Sequence, residues 1–405
     1  METFDLAVIG GGAAGFFCAV NAARMKPGIK VVILERSQKF LSKVRISGGG
    51  RCNVTHACFS MAEMSSRYPR GGTFLKRAFH SFFTTDTINW FRERGVELKT
   101  ESDGRMFPES DNSQTIIDCL LAEASQFNVD ARVLSPVRKI SRSDRWILST
   151  DRDEIFAEKI CLATGGITKK GFAGFEFLND LEIIDPVPSL FTFNVPDDKI
   201  VKLMGVSVPE AKVRITGTSV TSSGSLLVTH WGFSGPAVLK ASAWGARELA
   251  KRNYKFSISI NWLPGYNENT LREKFMELRY SQASKMIASR NPFGLASRLW
   301  EYFLEKSEIR EGVRWSDLPA KQQNRLVRIL TGDIYEVNGK STFKEEFVTA
   351  GGIALYETDP ATMECKKIPG LYFAGEVMDI DGITGGYNFQ NAWTTGYIAA
   401  KAIVS

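Results

Sequence analysis

The chain has 405 residues, 24% of them charged and 43% hydrophobic, with a formal net charge of +6. That composition fits a globular protein of two or three domains with chain enough for a large core. It excludes a helical membrane protein, because no apolar run reaches the roughly 18–20 residues that span a bilayer. Glu2 and Asp5 stand where a signal peptide carries Lys or Arg, so a cytoplasmic protein is expected. The six cysteines (Cys18, Cys52, Cys58, Cys119, Cys161, Cys365) show no C-x-x-C or zinc spacing and read as reduced thiols. Cys52 and Cys58 lie six apart, but nothing flanking them argues for a lowered thiol pKa.

In chain order, residues 4–10 and 30–36 are short runs rich in β-branched residues. They flank an alanine-rich stretch of helical length, 13–25, and together make a βαβ unit. The stretch RYPRGGTFLKRAFH at 67–80 interleaves aromatics with Arg and Lys, as a nucleic-acid face or a solvated surface would. Helices are expected around 84–94 and 113–126, a strand pair within 132–150, and another central strand in KICLATGG at 159–166. The pattern changes after Pro186 and Pro188. Residues 191–262 read as short strands separated by turns, and the chain after Pro264 as charged helices at 269–288, 294–306 and 318–331. Strand-like segments return from 343, and GLYFAGEV at 370–377 reads as a central strand running into glycine. The sum is one α/β domain interrupted by a β-rich and then helical insert.

Gly10, Gly12 and Gly15 form G-x-G-x-x-G directly after the first strand and at the opening of a helix, and Glu35 follows Gly15 by 20 residues. The first glycine permits a tight turn, the second lets backbone approach a pyrophosphate, and the third allows close helix–strand packing. The acid accepts both ribose hydroxyls. This turn and acid are expected to bind a dinucleotide, with Ala14 and Arg36 beside them. No second fingerprint follows, yet glycine clusters recur in ISGGGRCNVT (46–55), in ATGG (163–166) and through 370–400. Several glycine-rich approaches spread along the chain fit an elongated cofactor gripped over its length, FAD rather than a nicotinamide.

The segments SGGGRCNVT, THWGFSGPAVL (229–239), VTAGGIALYETDPATME (348–364) and GLYFAGEVMDIDGITGGYNFQNAWTTGYIAA together resemble the HI0933-like (BaiN and aminoacetone oxidase-type) family of NAD(P)/FAD-dependent oxidoreductases. The resemblance covers nearly the whole chain. It implies a discontinuous Rossmann-like FAD-binding domain, residues 1–188 and 342–405, interrupted by a β-barrel-like insert (189–264) and a helical one (265–341). It puts Gly10, Gly12, Gly15 and Glu35 on the ADP half, and Gly49, Gly50, Arg51, Cys52 and Asn53 in the loop beside the flavin. Thr164 and Gly165 join the cofactor set, Gly375 and Glu376 lie along the ribityl and diphosphate, and Gly385, Gly386, Tyr387 and Asn388 lie beside the isoalloxazine. The chain departs from the usual pattern in ITKKGFAGFEFLND after ATGG, and in His56, where Asn is more usual.

Read without the family, GITGGYNFQNAW places glycines before a small-residue helix from about 388 to 403, whose N-terminus would stabilise charge on a reduced flavin. Arg51, His230 and Tyr387 are the candidate catalytic side chains, and no metal-ligand spacing or nucleophile motif appears. The expected function is an FAD-dependent oxidoreductase passing a hydride through flavin N5 to or from a small organic substrate. Substrate is expected to enter between the FAD domain and the insert, with NAD(P)H as transient co-substrate or O2 as acceptor left open. The alternatives are a flavoprotein acting on nucleic acid, as in tRNA modification, and a non-catalytic FAD-binding module.

Overall fold

The computed structural model describes residues 2–166, 175–289, 291–341 and 348–405. The segments 167–174, which hold most of the ITKKGFAGFEFLND departure, and 342–347, where the second insert boundary and the strand-like return from 343 were placed, lie outside them. Two units emerge: Met1–Ser189 with Phe343–Ser405, and Leu190–Thr342.

The first unit is built on a parallel sheet in the order Asp130–Arg132, Val31–Leu34, Glu2–Ile9, Glu154–Leu162, Leu371–Phe373. Leu6, Ala7, Val8, Ile160, Cys161 and Leu162 are fully buried, as strands covered on both faces must be. Trp146–Ser149 and Lys139–Arg142 extend the sheet as an antiparallel meander on Glu154–Leu162. The expected pair within 132–150 is therefore split: its start belongs to the parallel sheet, and only the remainder forms the hairpin. Helix Ala13–Met25 packs against the C-terminal helix Tyr387–Val404 along small residues; a Cβ on Gly396 would sit 2.7 Å from the Ala14 carbonyl oxygen. A separate three-stranded sheet joins Thr55–His56, Arg105–Pro108 and Leu98–Thr100.

The second unit carries an antiparallel sheet ordered Asp333–Asn338, Lys255–Asn261, Ser207–Ile215, Thr221–Val228, Gly232–Ser234, Thr192–Asn194, Lys340–Ser341. The first and last members of that order are successive stretches of one chain, so the sheet curls back on itself and is barrel-like. Helices Glu268–Ser281, Ser297–Lys306 and Ala320–Gly332 share its core, in which Phe233, Trp262, Phe303 and Tyr335 pack edge to face or tilted. One expectation fails here. Residues 236–251 are not strand and turn but a 16-residue helix, Pro236–Lys251. Its start signal, Pro at the first helical position after Gly235, is present in the sequence, and its alanine-rich interior favours helix. Among the described residues no helix is long and apolar enough to cross a membrane.

Candidate functional site

All the glycine clusters singled out in the sequence fall in the first unit, and the structure gathers them into two groups. The first surrounds the start of helix Ala13–Met25. A Cβ on Gly15 would lie 2.0 Å from the Gly10 carbonyl oxygen, and one on Gly10 would lie 2.4 Å from that of Ala163. The turn therefore seals strand, helix and the ATGG segment together, bringing Thr164 alongside. Gly12 is different: a Cβ there meets nothing within 4 Å, so its face of the turn is open. The helix it caps has no side-chain cap and no acid in its first turn, which leaves backbone N–H groups and their partial positive charge for a ligand.

Glu35 is held rather than free. Its Oε2 accepts from Gly11 N–H at 2.8 Å and its Oε1 from Ser37 N–H at 2.8 Å. Two backbone donors thus aim the carboxylate while leaving lone pairs for hydroxyls. Arg36 next to it is exposed. Gly375 approaches the same helix start, since a Cβ on it would lie 2.8 Å from that of Ala14. Glu376 beside it accepts from Thr349 N–H at 2.7 Å and pairs with Lys43 Nζ at 2.6 Å, and Gly165 lies 4.0 Å (as a built Cβ) from its Oε2. Lys43 was not among the sequence candidates; its signal was its position one helical turn ahead of the SGGG run.

The second group is the junction of the 47–56 loop with the turn before helix Tyr387–Val404. Gly48, Gly49, Gly50 and Cys52 all have positive φ, and a Cβ on Gly49 or Gly50 would meet nothing within 4 Å. Asn53, oriented to satisfy both partners, donates to the Thr55 carbonyl and accepts from Gly386 N–H at 3.0 Å each. The buried Gln390 side chain accepts from Thr55 and Thr87 hydroxyls, and Trp393 Nε1 donates to the Val54 carbonyl at 2.9 Å. Asn388 bonds both ways to Gly382, and Tyr68 OH donates to the Tyr387 carbonyl at 2.6 Å.

His56 stacks on Tyr387 with ring centroids 4.8 Å apart, and its Nδ1 lies 3.0 Å from the Gly385 carbonyl oxygen. Burial lowers the His56 pKa and pushes the Tyr387 hydroxyl up to about 12, so both favour the neutral form. The sequence noted His56 only as a departure from the family pattern and saw no partner for it, because its partner lies 331 residues away.

Other candidates point elsewhere. Arg51 lies over the Phe107 ring at 4.0 Å and pairs with Glu101 at 2.6 Å and Asp111 at 3.4 Å, so its guanidinium is committed within the three-stranded sheet region. Cys52 is buried with its thiol pushed up to about 12, and all six cysteines are free and buried. His230 belongs to the second unit, exposed against the Trp231 ring at 3.9 Å. Arg70 in the basic stretch pairs with the buried Asp381, which also accepts from Ser189 Oγ at 2.6 Å, and Arg67 pairs with Glu63 at 2.9 Å. No metal-binding cluster occurs among the described residues.

An open glycine turn at an uncapped helix start, an acid aimed by two backbone amides, and a parallel sheet beneath define a dinucleotide-binding α/β protein of the flavoprotein kind. Sequence comparison makes this specific. The model of the HI0933-like protein Rossmann domain matches residues 4–402, and the chain belongs to that family. It is similar to a ribosomal RNA dihydrouridine synthase of Escherichia coli (strain K12), 32% identical over 100% of this chain and 99% of the relative. It is also similar to the 3-dehydro-bile acid delta(4,6)-reductase of Clostridium scindens, 28% identical over 98% of each. Among solved structures, the 3-ketosteroid delta1-dehydrogenase of Sterolibacterium denitrificans shares the fold at a TM-score of 0.51 and 11% identity, over the full length of both chains. The chain is an FAD-dependent oxidoreductase.

Proposed function

We propose that the protein adds hydrogen across a carbon–carbon double bond conjugated to a carbonyl. One observation carries this reading: two full-length relatives with unlike substrates are named for the same bond change. Forming dihydrouridine saturates the ring C=C of uracil, conjugated to its carbonyl, and a delta(4,6)-reductase saturates the double bonds of a 3-oxo steroid. In this reading Gly10, Gly12, Ala14, Gly15, Glu35 and Arg36 hold the ADP half of FAD, and Thr164, Gly165, Gly375 and Glu376 the middle. Gly49, Gly50 and Asn53, with Gly385 to Asn388, flank the ring system. The open face at Gly12, Gly49 and Gly50 is what such a cofactor requires.

Bound flavin supplies two-electron hydride chemistry; the protein supplies position and protons. Reduction of a conjugated C=C needs a proton at the carbon next to the carbonyl, and a positioned acid contributes roughly 10²–10⁴-fold. Tyr387, neutral at physiological pH and stacked on His56, is the proton donor at that turn, with His56 fixing its ring. Helix Tyr387–Val404 presents its positive end there. NADH or NADPH would serve as a weakly saturating reductant, because only one glycine fingerprint is present and it is committed to FAD.

A second reading concerns the substrate itself. The unit Leu190–Thr342 carries 22 Lys and Arg against 14 Asp and Glu, a net of +8, whereas the rest of the chain carries 29 against 31. A base in RNA is the substrate this asymmetry favours over a free enone.

The test uses anaerobically photoreduced holoprotein, mixed with 2-cyclohexenone, a 4-en-3-one steroid or uridine-containing RNA, with flavin reoxidation followed at about 450 nm. At least one of these acceptors should reoxidise the wild type, and Tyr387→Phe should slow that step by about 10²-fold at unchanged FAD content. If no conjugated acceptor reoxidises the flavin while an amine reduces the oxidised enzyme, the reading is wrong.

A further inference from the structure

Part of the second unit's basic charge lies on one face of its sheet. On strand Ser207–Ile215, Val213 and Ile215 point into the core, while Lys212 and Arg214 alternate onto the outer face. The register sets Arg214 between Thr221 and Ser259, and Lys212 between Ser223 and Asn261. Lys255 opens the neighbouring strand on the same face, four residues before Ser259. None of the three cations takes part in an ion pair among the described residues. The acids on this side are Glu210 and Glu336, and Glu336 is bonded to Ser257 Oγ at 2.8 Å. In the stretch 67–80, Arg67 pairs with Glu63 and Arg70 with the buried Asp381, while Lys76 and Arg77 are exposed and take part in no ion pair among the described residues.

We propose that this outer sheet face, carrying Lys212, Arg214 and Lys255 among Ser, Thr and Asn side chains and the exposed Ile334, docks the phosphate backbone of RNA. The proposal rests on the reading that the substrate is a nucleobase. Phosphate oxygens are met by Lys and Arg together with hydroxyl and amide donors, and this face supplies that mixture. Such contacts position an RNA without reading its sequence, which suits an enzyme whose chemistry selects the base elsewhere. Twisted antiparallel strands also present successive outward side chains about 7 Å apart, so the cations form a track rather than a point.

The experiment measures anisotropy of a labelled uridine-containing single-stranded RNA against FAD-loaded full-length protein, between 50 and 200 mM NaCl. It compares the wild type with Lys212→Gln/Arg214→Gln/Lys255→Gln. Three lost phosphate contacts should make the slope of log K against log salt shallower by about 2, and lower affinity at least about tenfold. Reoxidation by 2-cyclohexenone should be unchanged. Wild-type binding with an unaltered slope in the variant would put RNA on another surface and overturn this inference while leaving the nucleobase reading intact. No RNA binding by the wild type would overturn both. Variant-sensitive binding to phosphatidylglycerol vesicles without RNA binding would assign the face to a membrane and overturn it as well.

Discussion

Gly12 and Gly15 lie three residues apart in one turn and carry opposite constraints. Gly15 is required by the protein itself, because a methyl group there meets the Gly10 carbonyl at 2.0 Å. Gly12 adopts φ −91° and ψ −171°, a conformation open to any residue, and its missing side chain leaves only empty space. Gly15→Ala should therefore destabilise the apoprotein, by about 1–3 kcal/mol of overpacking strain, and show a lowered melting temperature. Gly12→Val should melt like wild-type apoprotein yet purify colourless, because its side chain fills the approach of the pyrophosphate. Absorbance at about 450 nm relative to 280 nm, read beside thermal melts, separates the two. Normal FAD content in Gly12→Val would remove the cofactor assignment for that turn. The motif was legible in sequence because it is local. Arg51 was not: its partners Glu101 and Asp111 lie 50 and 60 residues on, and only the folded chain shows its guanidinium committed to them.

At the scale of elements, the turn leading into Tyr387–Val404 is fixed from several sides, by Asn388 on Gly382, Asn53 on Gly386, Tyr68 on the Tyr387 carbonyl and His56 on Gly385. His56 is the ionisable member of this set that burial holds below its usual range. Burial lowers its folded pKa below the usual 6.5 and outweighs the Gly385 bond and the nearby Asp103 and Glu63, which raise it, while Arg67 acts with burial. The unfolded chain thus takes up the proton first as pH falls. Stability should decline below about pH 6.5 and level off once the folded state also protonates. In His56→Gln, which keeps an amide donor without a titrating group, melting temperature should fall less between pH 6.5 and 5. Parallel profiles for the two proteins would show that another group carries the acid sensitivity. The element missed in sequence, helix Pro236–Lys251, was hidden by its neighbours: strands on both sides and a Ser/Thr-rich approach suggested continued β-structure. Its fate was decided by packing, since Ala237, Val238, Ala241 and Leu249 bury against the strand residues Val213, Ile215 and Leu226.

For the whole molecule, the ends of the interruption are themselves a measurement of how it was inserted. Ile183–Ser189 and Val348–Ile353 pair antiparallel, and Ser189 is the cross-strand partner of Val348. Two residues so paired can be joined by a short hairpin turn. A shortened chain in which Asn-Gly links Ser189 directly to Val348 should therefore fold and bind FAD, while losing turnover of every acceptor and the salt-dependent affinity for RNA. If it folds, as judged by circular dichroism, but binds no FAD, the first unit does not hold the cofactor by itself.

What the sequence determined by itself was local conformation: strand, glycine turn, helix and spaced acid lie within 35 residues, where periodicity and turn chemistry dictate structure. The change of pattern near residue 190 was legible for the same reason, since composition shifts there within a few residues. Only the tertiary structure brought His56 onto Tyr387 and Lys43 onto Glu376, paired Arg70 with the buried Asp381, and set Lys212, Arg214 and Lys255 on one outer face. Those relations join residues distant in the chain through strand register and helix packing, and no short-range pattern encodes which distant side chain fills a given space.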